Sequence, residues 1–252
     1  MPDPPSNEDK LRAQYAEIAV LAGQLAHEIK NPLSTISLNV ELLAEDFAQA
    51  ETPRERRSVD RLARVQRECR RLQELLNDFL NFARAQPRDL GEYDLNQLLE
   101  ELLDFYRPQA QESRIEIVRL LDRNLPSVRI DRQQIRAALL NLILNAQQAM
   151  PRGGRLEVRT RATQHGLALD LIDTGVGMDA KTLERIFEPF FSTKTGGSGL
   201  GLPTARKIIE AHGGRITVQS EPGRGTQFTI ELPVSGPWSV VRRTDEKSPS
   251  RR

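Results

Sequence analysis

Apolar residues recur at three- and four-residue steps through most of the first eighty positions, and this pattern limits the possible folds more than any other. From Leu11 the stripe runs through Ile18, Leu21, Leu25, Ile29, Leu33, Ile36, Val40, Leu43 and Phe47. Such steps put the side chains on one face of a continuous helix. A polar break around residues 51–57, with Pro53 inside it, separates this stripe from a second. The second holds Val59, Leu62, Val65, Cys69, Leu72, Leu75, Leu76, Phe79 and Phe82. Two helices of about 30–40 residues joined by a short loop cannot bury such narrow stripes alone. Two hairpins pairing into a four-helix bundle is the economical solution, so the pattern predicts a homodimer.

Beyond a linker at residues 86–91, broken by Pro87 and Gly91, the texture changes. Residues 95–111 read as a helix and 114–121 alternate like a strand. Residues 131–150 form a strong helix, with Asp131 as N-cap and Pro151-Arg152-Gly153-Gly154 as its stop. Strands are expected at 156–160, 167–172, 215–220 and 226–232, with a glycine-rich segment at 196–201 and a helix near 203–212. Helices and strands in this order predict an α/β sandwich of one sheet and one helical layer. The expected division is a helical hairpin over residues 1–88 and an α/β domain over 89–235. The polar, basic tail at 236–252 is expected to be disordered.

Composition narrows the function classes. Of 252 residues, 38% are hydrophobic and 28% charged, and the net charge of +1 gives no push toward nucleic acid or an acidic membrane. The single cysteine, Cys69, excludes an internal disulfide and a Cys-based zinc site. No apolar run approaches the ~18–20 residues that span a bilayer, and Met1 to Lys10 lacks the apolar core of a signal peptide. The chain as it stands is expected in the cytoplasm, although a membrane or sensor segment could lie outside it.

Three histidines are present, and His27 is the one with a suggestive setting. At ~100° per residue it lies about 200° around the helix from both Leu25 and Ile29, away from the buried seam. By itself that describes an idle surface histidine. Its neighbours, in His27-Glu28-Ile29-Lys30-Asn31-Pro32-Leu33, suggest more. Asn31 is one turn on and shares the face. Pro32 interrupts the backbone ladder, normally at a cost of about 3 kcal/mol, so a stripe that continues through it points to a useful bend. A zinc-protease helix requires a second histidine where Asn31 stands. A hydrolytic triad requires a nucleophile elbow, which is absent. What remains is histidine as a nucleophile toward phosphorus, with one nitrogen attacking and the adjacent Glu28 accepting the proton from the other. His165 and His212, in an expected strand turn and helix end, are assigned no chemical role.

The second region carries four polar or glycine-rich boxes. Asn141 and Asn145 lie one turn apart on an otherwise apolar helix. They either cross-link neighbouring strands or offer hard oxygen donors to Mg²⁺. Asp173-Thr174-Gly175-Val176-Gly177 follows a strand, as an ordinary turn or as a pocket for the edge of a planar ligand. Phe187-Glu188-Pro189-Phe190-Phe191-Ser192-Thr193-Lys194 comes next. Gly197, Gly199 and Gly201 then open a helix whose N–H groups and dipole suit phosphate. Thr204 occupies the place of a third dinucleotide-motif glycine, and no Gly-Lys-Ser/Thr follows, so neither a dinucleotide fingerprint nor a P-loop is present.

The string from Leu25 to Leu33 resembles the phospho-acceptor box of the sensor histidine kinases of two-component systems. The four later boxes, in their order, resemble the ATP-binding fold shared by histidine kinases, Hsp90, gyrase and MutL. The run from Asn141 to Gly154 is most similar to the nitrogen-regulation type of sensor kinase. The resemblance implies an ATP-dependent kinase that phosphorylates His27 with help from Glu28 and passes the phosphoryl group to an aspartate of a response regulator receiver domain. It implies that Asn31 orients the water for dephosphorylating that regulator. It implies that Asp173 binds the adenine amino group, with Gly175 and Gly177 shaping the pocket, and that Asn145 binds Mg²⁺ with Asn141 in support. Lys194 and the glycines 197, 199 and 201 are implied as phosphate contacts from a mobile lid. Gln148 departs from the pattern, since many relatives have lysine there. About ten polar residues precede the first helix, too few for a sensing domain, so the input is expected from another segment or an upstream protein.

Overall fold

The computed structural model describes residues 28–47, 52–83, 89–194 and 197–234. His27 lies outside them. The chain divides into two units, Met1–Pro87 with Arg185–Thr204, and Arg88–Glu184 with Ala205–Arg252.

In the first unit, residues 28–46 are helical (α1) and Pro53–Ala83 form α2. The helical periodicity thus produces helices, and α1 continues through Pro32. The polar stretch at residues 51–57 is not all loop, because Pro53 is the first residue of α2. At that position proline's missing N–H costs nothing, and its fixed φ suits a helix start. Thr52 and Glu55 close a reciprocal capping box around it. The Glu55 N–H donates to Thr52 Oγ1 at 3.2 Å, and the Thr52 N–H donates to Glu55 Oε2 at 2.9 Å.

The second unit is built on a five-stranded sheet in the order β2-β4-β5-β7-β6. The strands are β2 (Ile115–Leu120), β4 (Gly154–Ala162), β5 (Gly166–Asp173), β6 (Arg215–Glu221) and β7 (Gly225–Pro233). Only β2 and β4 run parallel, and a parallel pair needs a crossover. The helix α4 (Arg132–Ala149) lies in that connection, and α3 (Leu95–Glu112) precedes β2. Both helices pack on the sheet and on each other. Their seams bury Leu95, Leu98, Leu99, Leu102, Leu103 and Tyr106 from α3, and Ile135, Ala138, Leu139, Leu142, Ile143 and Ala146 from α4. Fully burying each large apolar side chain contributes ~1.5–3 kcal/mol, which makes this layer the core of the unit. The other side of β4 presents Arg155, Glu157, Arg159 and Arg161. The arginines pair with the buried carboxylates Glu157 and Asp170, so this face is covered by a charge ladder. This is the expected two-layer sandwich.

Three elements had no clear sequence signal. The strands β1 (Gly91–Tyr93) and β3 (Val128–Ile130) pair antiparallel in a separate small sheet, with Gly91 opposite Ile130. The short helix α5 spans Ala180–Arg185. Three-residue strands are too short to show alternation, and their pairing spans residues that are distant in sequence. The last helix, α6 (Gly201–Ala211), begins two residues earlier than the pattern suggested, on the last of the three glycines.

Candidate functional site

The helix α4 owes its start to Asp131, whose Oδ1 accepts from the Gln133 and Gln134 N–H groups at 3.0 Å each. This N-cap satisfies two of the orphan donors of the first turn. Asn141 and Asn145 follow, half-buried, one turn apart and each adjacent to a seam residue, Leu142 and Ala146. They therefore flank the buried stripe on one side of the helix.

Asp173 ends the central strand β5 and is buried, with 2% of its surface exposed. Its Oδ1 accepts the Gly175 N–H at 2.8 Å, which turns the chain sharply after the strand. The next amide, Val176 N–H, donates to Ala149 O at 3.0 Å. The Asp-x-Gly-x-Gly turn is thereby fastened to the end of α4, one turn beyond Asn145. On its other side, Gly223 N–H donates to Val176 O at 2.7 Å. Gly177 sits at φ +65°, and a Cβ there would come within 1.9 Å of Glu221 O. Only glycine suits that position.

Two hydroxyls beside Asp173 were not singled out in the sequence. Thr226 is opposite Asp173 in the β5–β7 register and is buried. Its Oγ1 lies 2.9 Å from Ser220 Oγ, which donates to Gly225 O at 2.8 Å and accepts the Met178 N–H at 2.9 Å. These residues lie about 50 positions after Asp173, and serine or threonine in a strand carries no special signal. The register alone brings them together.

The other candidate phosphate contacts lie in the segment Arg185–Thr204. Within it Phe190 N–H donates to Gly199 O at 3.1 Å, and Gly197 N–H donates to Lys194 O at 3.2 Å. Gly199 takes φ +67°, and a Cβ there would meet the backbone carbon of Phe190 at 2.5 Å. Phe190 itself takes φ +66°, costly for a residue with a Cβ, while its side chain is 66% exposed. The Arg185 guanidinium stacks over the Phe191 ring at 4.2 Å. Gly201 is the first residue of α6. Of the candidate residues that follow His27, Glu28 and Asn31 are exposed on α1, and Thr35 Oγ1 donates to Asn31 O at 3.2 Å. Gln148 is exposed near the end of α4.

Among the described residues, no cluster of three or more His, Cys, Asp or Glu side chains could hold a metal. Any cation at α4 would find amide oxygens as protein donors, which suits a hard ion held mainly by phosphate and water. No helix of the described residues is long and apolar enough to cross a membrane.

Comparison with known proteins agrees with this layout. Residues 19–88 match the His Kinase A (phospho-acceptor) domain, and residues 130–236 match the histidine kinase-, DNA gyrase B- and HSP90-like ATPase family. The signal transduction histidine-protein kinase AtoS of Escherichia coli (strain K12) is 33% identical over 88% of this chain. This chain spans only 36% of the length of AtoS. Full-length ShkA, solved in complex with AMPPNP, superposes with a TM-score of 0.68 at 29% identity, covering 84% of this chain and 45% of ShkA. The kinase ThkA, solved with the response regulator TrrA, gives a TM-score of 0.64 at 25% identity over 89% of this chain and 64% of its own. The chain belongs to the sensor histidine kinase family, of which it carries the phospho-acceptor module followed by the ATPase-type module.

Proposed function

We propose that the protein is an ATP-dependent protein-histidine kinase that phosphorylates His27 and transfers the phosphoryl group to an aspartate of a response regulator. The observation that carries this reading is the buried carboxylate of Asp173 at the end of β5, tied to the Asn141/Asn145 helix, in a chain that also holds His27-Glu28-Ile29-Lys30-Asn31-Pro32. A buried carboxylate is a strong acceptor for the exocyclic amine of adenine. Asn145, supported by Asn141, would hold Mg²⁺. The ion supplies charge neutralisation on the phosphates. Lys194 and the glycines 197, 199 and 201 would meet the phosphate oxygens from a lid.

Catalysis is then mostly positioning. One imidazole nitrogen of His27 forms a bond to the γ-phosphorus while the bond to the β-bridging oxygen breaks, and ADP leaves. Glu28 takes the proton from the other nitrogen. In a separate hydrolytic activity, Asn31 orients water against the phosphorylated regulator, which releases inorganic phosphate; its exposed position on α1 supports this second role. ThkA, a relative of this fold, was solved with a response regulator. In this reading residues 1–88 serve dimerisation and phosphotransfer, residues 89–235 bind ATP, and the work is cytoplasmic. A homodimer is supported by the apolar side chains left exposed on α1 and α2, including Ile36, Leu42, Leu43, Val65 and Leu72.

Incubation with γ-labelled ATP and Mg²⁺ tests the reading. The label is expected to be acid-labile and alkali-stable, and absent from His27→Ala. Acid-stable label, or label that persists in that variant, would sink it.

A further inference from the structure

His212 has no role in the reaction as described, yet it is buried, 8% exposed, at the end of α6. Its Nε2 accepts the backbone N–H of Asp131 at 3.0 Å, across 81 residues of sequence. Its Nδ1 lies 2.7 Å from Ile208 O. An amide N–H can only donate and a carbonyl can only accept, so the ring is the neutral tautomer with hydrogen on Nδ1. Asp131 caps α4 with Oδ1, as described above. Its Oδ2 accepts the Asp89 N–H at 3.0 Å and the Gln134 Nε2 donor at 3.0 Å. Asp89 is the first described residue of the second unit, inside the expected linker, and two residues later Gly91 pairs with Ile130, the neighbour of Asp131. The chain entering the second unit, the start of α4 and the end of α6 therefore converge on a single residue. Burial works to raise the Asp131 pKa, but the N–H groups of Gln134, Asp89 and Gln133 outweigh it and hold the carboxyl below the usual value. The carboxylate is thus charged at neutral pH, when these bonds need it.

We propose that Asp131 and His212 are positioning residues for nucleotide binding, forming a clasp that fastens the incoming chain and the end of α6 to the N-cap of α4. The proposal rests on the reading that α4 presents Asn145 to the nucleotide. A rigid helix with its N-terminus held at three points keeps Asn141 and Asn145, about three and about four turns further on, in fixed orientation against the Asp173 turn. Neither residue touches the nucleotide in this arrangement.

The chemistry allows the Asp89 bond and the His212 bond to be removed separately. In Asp131→Asn the side-chain oxygen still caps α4, since Asn and Asp are equivalent there. The new amide group faces both the Asp89 N–H and the Gln134 side chain. It cannot accept from Asp89, whereas the Gln134 amide can turn its own oxygen to accept from it. His212→Phe keeps a ring but leaves the Asp131 N–H without an acceptor, and His212→Gln restores an acceptor oxygen. Two measurements on the full chain are needed. The first is amide hydrogen exchange without nucleotide, in which Asp131→Asn loses protection at Asp89, His212→Phe loses it at Asp131, and His212→Gln regains it. The second is the ATP concentration dependence of His27 labelling. Losing one net hydrogen bond from the clasp should raise the apparent KM about five- to tenfold in Asp131→Asn and His212→Phe, with the saturating rate within about twofold. His212→Gln should return the KM toward that of the unaltered protein.

Unchanged exchange at Asp89 and Asp131 would overturn the clasp. Lost protection with an unchanged KM, or a His212→Gln variant as impaired as His212→Phe, would overturn its positioning role. If the unaltered protein incorporates no label, the kinase reading has failed, while the exchange measurement still decides whether the clasp exists.

Discussion

The two units of this chain handle apolar surface in opposite ways. In the second, a single copy buries most of the large apolar side chains of α3 and α4, and Leu95, Leu99, Leu103 and Ile143 are fully enclosed. In the first, α1 and α2 have the more regular stripes, yet the buried apolar residues on them are Val40 and Cys69. Ile36, Leu38, Leu42, Leu43, Val65 and Leu72 stay between 43% and 56% exposed. A sheet with a helical layer closes over its own core, whereas two helices offer each other only one seam. Helical periodicity therefore reports which face is apolar, without saying whether the same chain covers it.

This contrast can be broken at four points. The largest effect is expected inside the second unit, where Leu99→Ala or Leu139→Ala should destabilise by ~2–5 kcal/mol in urea unfolding. If either were silent, that unit would not be self-contained. Next, Leu42→Glu or Leu43→Glu on α1 should weaken self-association by roughly tenfold or more, from ~1.5–3 kcal/mol of lost apolar burial. Sedimentation over a dilution series reads this, and an unchanged monomer–dimer balance would mean that something other than a second copy covers the stripe. Smaller still is Thr52→Ala, which removes the cap of α2 and should cost ~1 kcal/mol in thermal unfolding.

The smallest effect at neutral pH concerns Tyr106, whose hydroxyl is buried without a hydrogen-bond partner among the described residues. Burial pushes its pKa up from 10.0 to about 12. The neutral phenol is the form favoured in the folded state, so this stability is complete below pH 10 and is lost as the pH rises from 10 to about 12. Tyr106→Phe should be neutral or slightly stabilising at pH 7, since it removes an unsatisfied polar group, and should abolish this alkaline loss. Equal alkaline sensitivity of the two proteins would show that the hydroxyl is not enclosed.

Local rules made much of the molecule legible in advance. The helix boundaries of α3 and α4 lie within one residue of those read from periodicity, because capping and breaker residues act over one turn. The position of Asp173 at a strand end followed from the strand expected at residues 167–172 and the glycines after it. Pro53 was misread as a loop residue because a proline in sequence signals a break without saying on which side the helix lies. The short strands β1 and β3, and the pairing of Ser220 with Thr226 beside Asp173, gave no local signal.

His212 marks where that legibility ends. The sequence by itself determined two amphipathic helices, a sandwich of strands and helices, and boxes that identify a family, because each depends on spacings of a few residues. Only the tertiary structure decided that a histidine at a helix end would accept the N–H of Asp131, that Asp131 would also hold Asp89 across 42 residues, and which apolar faces one copy leaves uncovered. The physical reason is that hydrogen bonds and burial depend on distance in space, and residues far apart in the chain meet only once the sheet has set their register.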